Sequence, residues 1–132
     1  MVHRVGNAPL ALDRCEVELR MHPLAGQAPA LRAMVAERAV RAGHGRDFID
    51  DTGLAVDEVY AIALANCDPA GVLTVRLAID AGRVDIDAWI PLHAKPIVDQ
   101  VRLRVLRSLA ESVDVSARKS VLRLSFCRLR PR

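Results

Sequence analysis

Apolar and polar residues alternate along several short stretches of the chain. A period of two is typical of strands that bury one face. Turn-forming residues at 80–83 and 117–119 separate neighbouring stretches, so we expect two hairpins. The alternating stretches are 15–22, 72–79, 84–90, 113–115 and 121–127.

Three longer stretches repeat apolar residues every three to four positions, which predicts helices over residues 27–42, 51–66 and 97–110. Pro29 suits the first turn of the first helix. Gly43 suits its C-terminal cap because glycine tolerates the left-handed conformation found there.

The middle helix contains an acid in an unusual position. Asp50, Asp51 and Thr52 are candidate caps for its first turn. Glu58 recurs at helical spacing with apolar or small residues, which would place this carboxylate on the inner side of the helix. The other members of the stripe are Leu54, Ala61 and Ala65.

Hairpins and helices that are segregated along the chain indicate an α+β two-layer sandwich. We expect one mixed, mostly antiparallel sheet with about three helices on one face. Residues 1–14 are expected to form a flexible N-terminal arm, and residues 15–132 a single domain. A chain of 132 residues can bury enough surface to fold without metals or disulfides.

Charge, cysteine count and the lengths of apolar runs indicate which classes of function and location are compatible with the chain. The net charge of +3 does not demand a polyanionic partner. Cys15, Cys67 and Cys127 are scattered and odd in number, which suggests buried free thiols in a reducing compartment. No apolar run approaches the roughly 20 residues of a membrane span, and no signal-peptide core is evident, so we expect a cytoplasmic protein. The histidines and cysteines lack metal-ligand spacing, and His44 is expected to be a solvated loop residue.

Three stretches together resemble a known family: LAVDEV at Leu54–Val59, the hairpin Val72–Ile90, and the late helix and strand at Val101–Val115. Over about residues 15–126 the chain resembles the RsbW-type anti-sigma factors. These are small histidine-kinase-like domains of the GHKL ATPase superfamily. The resemblance implies the histidine-kinase-like ATPase fold for the predicted sandwich.

The first nucleotide box of that family is E-x-x-x-N on a helix. Its Glu acts as general base, while its Asn oxygen holds Mg²⁺, a cation that prefers oxygen ligands. The chain has Glu58 in the catalytic position. The Asn position is Ile62, which cannot coordinate a metal.

The other two boxes also depart from the pattern. In the D-x-G-x-G box, Asp87 or Ala88 takes the Asp place, depending on register, and no glycine follows. In the phosphate box, Gln100 and Arg102 occupy glycine places, although Arg102 and Arg104 could still meet an anion. We therefore expect no bound cofactor or metal. Binding of ATP and Mg²⁺ would require that the altered boxes still form a nucleotide site.

The resemblance implies a homodimeric anti-sigma factor that sequesters an RNA polymerase sigma factor, in transcription regulation such as a stress response. Release would come from an anti-anti-sigma partner of the STAS type. With the ATP site altered, we expect control by competition or redox. We expect the partner surface to use the first strand and first helix, and its candidate residues are Arg20, Arg32, Glu37 and Arg41.

Three alternatives stay open. One is an active ATP-dependent serine protein kinase, with Glu58 as base and Asp87 toward adenine, that phosphorylates its STAS antagonist. Another is a pseudo-enzyme scaffold without a sigma target. The third is a nucleic-acid-binding module, which we disfavour because only Phe126 interleaves with the basic residues. Those residues are Arg118, Lys119, Arg123, Arg128, Arg130 and Arg132.

Overall fold

The computed structural model describes residues 2–5 and 14–131, which form one sheet and three α-helices. The elements are β1 Val2–Val5, β2 Cys15–Met21, α1 Ala28–Arg41, α2 Arg46–Asn66, β3 Leu73–Ile79, β4 Arg83–Pro91, α3 Gln100–Leu109, β5 Ser112–Arg118 and β6 Val121–Leu129. The spatial order of the strands is β1-β2-β3-β4-β6-β5. The predicted α+β sandwich is confirmed, although all five described strand pairings are antiparallel and the sheet is not mixed.

The core lies between the helices and one face of the sheet. In β4, Val84, Ile86, Ala88 and Ile90 are at most 1% exposed, while Asp85 between them is half-buried on the other face. The period of two in the sequence therefore reports which residues face the helices. We call the opposite side of the sheet, which no described helix covers, the open face. Other strands contribute Val17, Leu19, Leu73, Val75, Leu77, Ile79, Leu122, Leu124 and Phe126 to the core.

The N-terminal stretch departs from the expected flexible arm. Residues 2–5 form β1, which pairs antiparallel with β2 from Val2↔Leu19 to Val5↔Glu16. Pairing at the sheet edge satisfies backbone N–H and C=O groups that would otherwise need water. Four residues are too few for their own pattern to predict a strand. The remainder of the expected arm up to residue 13 lies outside the described residues.

Helix α2 begins at Arg46 rather than Asp51. Gly43, with φ of 86°, ends the preceding helix as predicted, and the extended Gly45 is the N-cap of α2. Asp51 and the other two predicted caps therefore lie inside the helix, where the Thr52 hydroxyl donates to the Phe48 carbonyl at 2.7 Å. The extra turn forms because it buries Phe48 in the core.

The predicted inner stripe of α2 lies on its outer side. Leu54 is 44% exposed, and Ala65 is exposed at the other end of the stripe. Asp47, Asp50 and Asp57 share the side of Leu54, which is therefore the polar side of the full helix. The face with the bulkier side chains packs on the sheet. Its buried members include Val56, Val59, Tyr60, Ile62 and Ala63.

The expectation of a solvated His44 is wrong. His44 is 6% exposed, and its ring stacks on Phe48 with centroids 4.0 Å apart. Its Nε2 lies 2.7 Å from the carbonyl oxygen of Asp80 in the β3–β4 turn. The loop between α1 and α2 is therefore fastened to the hairpin.

Candidate functional site

Glu58 lies where α2 meets α3, and its carboxylate is paired with an arginine of the same chain. Arg102 Nη1 donates to Glu58 Oε2 at 3.1 Å. The Glu58 side chain is 15% exposed and that of Arg102 is 44% exposed. A pair at this exposure contributes at most about 1 kcal/mol to stability. The pair affects chemistry at Glu58 more than it affects stability, because the carboxylate is already engaged by a guanidinium.

Ile62, one turn further along α2, is part of the hydrophobic core. It is 1% exposed and is among the largest fully buried side chains. Its hydrocarbon side chain offers no ligand to a hard cation. At this position of α2, the side chain packs in the core against the sheet.

The N-terminus of α3 is capped by its own chain. Asp99 is the N-cap, and its Oδ1 accepts from the backbone N–H groups of Val101 at 2.8 Å and Arg102 at 3.4 Å. Free N–H groups at a helix start are what bind phosphate in proteins. Here an internal carboxylate satisfies two of them. Gln100 at the first helical position donates to the Val98 carbonyl at 3.3 Å.

Asn66 holds the segment before α3 against the end of α2, a role that sequence analysis missed. Asn66 is 5% exposed. Its Nδ2 donates to the carbonyls of Ile62 and Ile97 at 2.8 Å each, and its Oδ1 accepts from Ile97 N–H at 2.7 Å. Ile97, predicted to begin the third helix, is therefore clamped in a loop. The available signal was an asparagine that follows the apolar last two turns of the helix.

Asp87 does not join Glu58, because it lies on the open face of the sheet. Ser125 Oγ donates to Asp87 Oδ1 at 2.6 Å, and Arg123 Nη2 lies 3.5 Å from the same oxygen. The neighbouring Ala88, with 0% exposure, faces the helices instead. The side of β4 next to α2 therefore carries an alanine and not the acid of the second box.

Of the four predicted partner residues, one lies on β2 and three lie on α1. Arg20 projects from the open face of β2 and pairs with a neighbouring glutamate. Arg32 pairs with Asp57 at 3.3 Å between α1 and α2. Glu37 and Arg41 pair with each other at 2.5 Å along α1. Each of the four therefore has an ion partner within the chain.

An apolar cleft opens between β2 and α1, which we call the β2–α1 cleft. Its volume is about 240 Å³. Met21 and Met34 contribute flexible, polarizable side chains suited to irregular apolar partners. The remaining lining residues are Leu19, Arg20, Gln27, Ala30 and Leu31.

The C-terminal basic residues divide between the two faces of the sheet. Arg128 reaches toward the helices, where Nη1 donates to the Leu109 carbonyl at 2.5 Å and Nη2 lies 2.8 Å from Asp51 Oδ2. Arg123 lies on the open face, with its guanidinium carbon 5.1 Å from the Trp89 ring centroid. Phe126, the aromatic residue between them, is 2% exposed and faces the core.

The three cysteines are free thiols. Burial raises the pKa of Cys67, with a further contribution from Asp68. Burial, and then Asp85, raises the pKa of Cys127. Within the described ranges, no group of three His, Cys, Asp or Glu side chains could hold a metal ion, and no helix is long and apolar enough to cross a membrane.

Comparisons with known proteins include a solved structure that bears on the fold. No protein-family model matches the chain, and no curated protein matches it. A crystal structure of the RsbU and RsbW domains of Rv1364c from Mycobacterium tuberculosis superimposes with a TM-score of 0.67 at 18% sequence identity. The match covers 86% of this chain and 33% of that chain, so this chain spans about a third of its neighbour's length. The chain has an RsbW-like fold.

Proposed function

We propose that this chain is an anti-sigma factor that sequesters an RNA polymerase sigma factor without using ATP. A STAS-type partner would release the sigma factor by competition. The RsbW-like fold supports the choice of partner class. The observation that carries the proposal is the Arg102–Glu58 ion pair, because it places a residue of the phosphate box on the would-be catalytic acid.

Three further contacts support nucleotide independence. Asp99 occupies the N-terminus of α3, which removes N–H groups from a phosphate. Ile62 fills the metal-ligand position with core. Asn66 ties down Ile97, so the segment before α3 is held by hydrogen bonds within the chain. A nucleotide would have to displace a helix cap and an ion pair, and it would still lack a metal anchor.

The kinase alternative has less support. It requires Glu58 and Asp87 to act on one nucleotide, but α2 packs against the inner face of the sheet and Asp87 projects from the open face. The nucleic-acid alternative is weakened by Arg128, which is committed to Asp51 and Leu109.

The β2–α1 cleft is our candidate for the sigma-binding surface. The cleft lies between α1 and β2, which are the helix and the strand in which we expected the partner surface. Binding energy at protein interfaces comes mainly from a few buried apolar or aromatic anchors. Met21 and Met34 line the cleft, and Leu24 beside it is 56% exposed, so apolar anchors are available there.

The nucleotide half of the proposal is tested by calorimetric titration of the purified chain with ATP and ADP, each with and without Mg²⁺. We expect no binding at about 1 mM nucleotide, a level at which a productive ATP site would be well filled. Micromolar affinity for Mg·ATP would refute nucleotide independence. Incubation with a purified STAS protein and labelled ATP gives the second readout, in which we expect no phosphate transfer.

The sigma half is tested by mixing the chain with each purified sigma factor of its host, with and without ATP. We expect one nucleotide-independent complex. Met34→Glu should weaken that complex by roughly 100-fold, as expected for a charge placed at an apolar anchor. Leu129→Glu is the matched control, since Leu129 is 45% exposed at the far end of β6. A complex that tolerates both variants equally would exclude the cleft, and the absence of any complex would exclude the proposed function.

A further inference from the structure

The open face of the sheet carries an apolar surface at one end, centred on Trp89. Trp89 is half-buried and lies in β4 between Ala88 and Ile90, which are 0% exposed and face the helices. Because successive side chains of a strand point to opposite faces, the indole projects from the open face. Pro91, two residues further along β4, lies on the same face.

Valines on the two neighbouring strands extend this surface. Val121 of β6 is opposite Pro91 in the strand register and is 37% exposed. Val72, directly before the buried Leu73 at the start of β3, is 47% exposed on the other flank of β4. A Cβ at Gly71 would lie 2.7 Å from Pro91 Cγ, so the chain before β3 packs closely against the proline ring. We call Val72, Trp89, Pro91 and Val121 the open-face patch.

Arginines from both neighbouring strands lie over Trp89. The guanidinium carbon of Arg76 on β3 is 5.4 Å from the ring centroid, and that of Arg123 on β6 is 5.1 Å from it. Their acidic neighbours are at long ion-pair distances, 3.4 Å from Arg76 to Glu18 and 3.5 Å from Arg123 to Asp87. Both arginine side chains are 53% exposed, and pairs at this exposure contribute little to stability. The two guanidiniums can therefore also bind carboxylates of a partner.

Two further cations border the patch on the side of β5. Arg118 is opposite Val121 in the β5–β6 register, and Lys119 follows it in the turn. Both are exposed, and neither has an ion partner among the residues that the structure describes. The patch is thus apolar at its centre and positively charged along its border. Tryptophan and arginine are the residues most enriched where binding energy concentrates in protein interfaces.

We propose that the open-face patch binds an acidic amphipathic helix of another protein. Val72 and Val121 flank β4 on its two neighbouring strands, so two strand spacings of about 4.8 Å give an apolar row about 10 Å wide, the diameter of one helix. Carboxylates beside the apolar stripe of that helix meet the four cations. The inference goes beyond the proposed function, because it needs neither a sigma factor nor a nucleotide and uses the face of the sheet opposite the helices.

Single-stranded nucleic acid matches the patch less well than an acidic helix does. Nucleobases bind such surfaces by stacking on the faces of aromatic rings. Trp89 is the only Trp, Tyr or Phe on the described open face, and two guanidiniums already lie over its ring. The rest of the patch is aliphatic, which suits the apolar stripe of a helix and offers no stacking partner to a base.

Fluorescence of Trp89 tests the proposal, because the chain has no second tryptophan. The probe is a synthetic helical peptide of about 18 residues without aromatic residues, with leucines every three to four positions and glutamates on both sides of that stripe. We expect saturable binding with a Kd of about 100 μM at low ionic strength, weakening as salt is added. The same peptide with lysine in place of each glutamate should not bind.

Val72→Glu and Arg118→Glu should each weaken binding of the acidic peptide by roughly tenfold or more, because each places a carboxylate opposite those of the peptide. Val40→Glu and Arg107→Glu are the matched controls, since they make the same substitutions at exposed positions of α1 and α3. Both controls should bind the peptide as the wild type does. Circular dichroism of each variant establishes folding.

Several results would overturn the proposal. They are no saturable fluorescence change up to about 1 mM acidic peptide, equal binding of the lysine peptide, equal weakening by the control variants, and tighter binding of an oligothymidine than of the peptide. Sedimentation velocity of the chain alone gives one more. If Val72→Glu dissociates a dimer of the wild type, the patch belongs to a second copy of this chain and the proposed occupant is wrong. Sigma binding is measured separately and does not enter these results.

Discussion

Asn66→Ala gives the clearest energetic test of how α3 is attached to the rest of the helical layer. The amide of Asn66 makes two hydrogen bonds to the backbone of Ile97, at 2.7 and 2.8 Å, and it is itself 5% exposed. Alanine removes both bonds. It also leaves the Ile97 N–H and carbonyl without their partners.

The magnitude follows from those bonds. Each net hydrogen bond contributes about 1 kcal/mol. The third bond, to the Ile62 carbonyl one turn back in the same helix, adds little because that carbonyl is already near a helical partner. Alanine is a better helix former by about 0.5 kcal/mol, which offsets part of the loss at the end of α2. We expect a net loss of about 1.5 kcal/mol, or roughly 5 °C in Tm for a chain of this size.

Urea unfolding followed by circular dichroism measures the loss, and hydrogen exchange of the Ile97 amide reports it locally. Ser108→Ala is the control, because it removes a hydroxyl bonded to a carbonyl of its own helix on the exposed side of α3. A loss below about 0.5 kcal/mol for Asn66→Ala would refute the assigned role. So would an Ile97 amide that stays protected in the variant.

Two further predictions concern buried titratable groups. Tyr60 donates to the Leu24 carbonyl at 2.6 Å, and burial raises its pKa in the folded state. The contribution of Tyr60 to the free energy of unfolding is therefore complete below about pH 10, and it is lost as pH rises above that value. Urea unfolding across this range should show a shallower alkaline decline for Tyr60→Phe, and equal declines would contradict the assignment. Burial also raises the pKa of Cys67, so iodoacetamide at about pH 8 should label it only after unfolding; equal native and unfolded labelling rates, by mass spectrometry, would show it accessible.

The strand pattern was predictable because its cause is local. Val84, Ile86 and Ile90 alternate with polar residues, and any sheet that covers one face must bury them together. Gly43 likewise predicted the end of α1, since a left-handed backbone strongly favours glycine. The α+β sandwich follows from these patterns and from the order of the elements.

The inner face of α2 was predicted wrongly. Leu54 and Val56 belong to different sides of the helix, and the charged side chains of Asp47, Asp50 and Asp57 lie on the side of Leu54. The predicted start at Asp51 left out residues 46–50, which carry two of these acids. Leu54 is exposed on the side of these acids, and Ile62 is core.

The sequence by itself determined the elements, the alternation that defines the core face of the sheet, and the absence of an intact E-x-x-x-N or glycine-rich box. The tertiary structure alone decided what the remaining polar residues contact. Glu58 and Arg102 are 44 residues apart, and Asn66 and Ile97 are 31 apart, so no local pattern could pair them. These pairings depend on how α3 lies against α2, and packing of both helices on one sheet determines that arrangement.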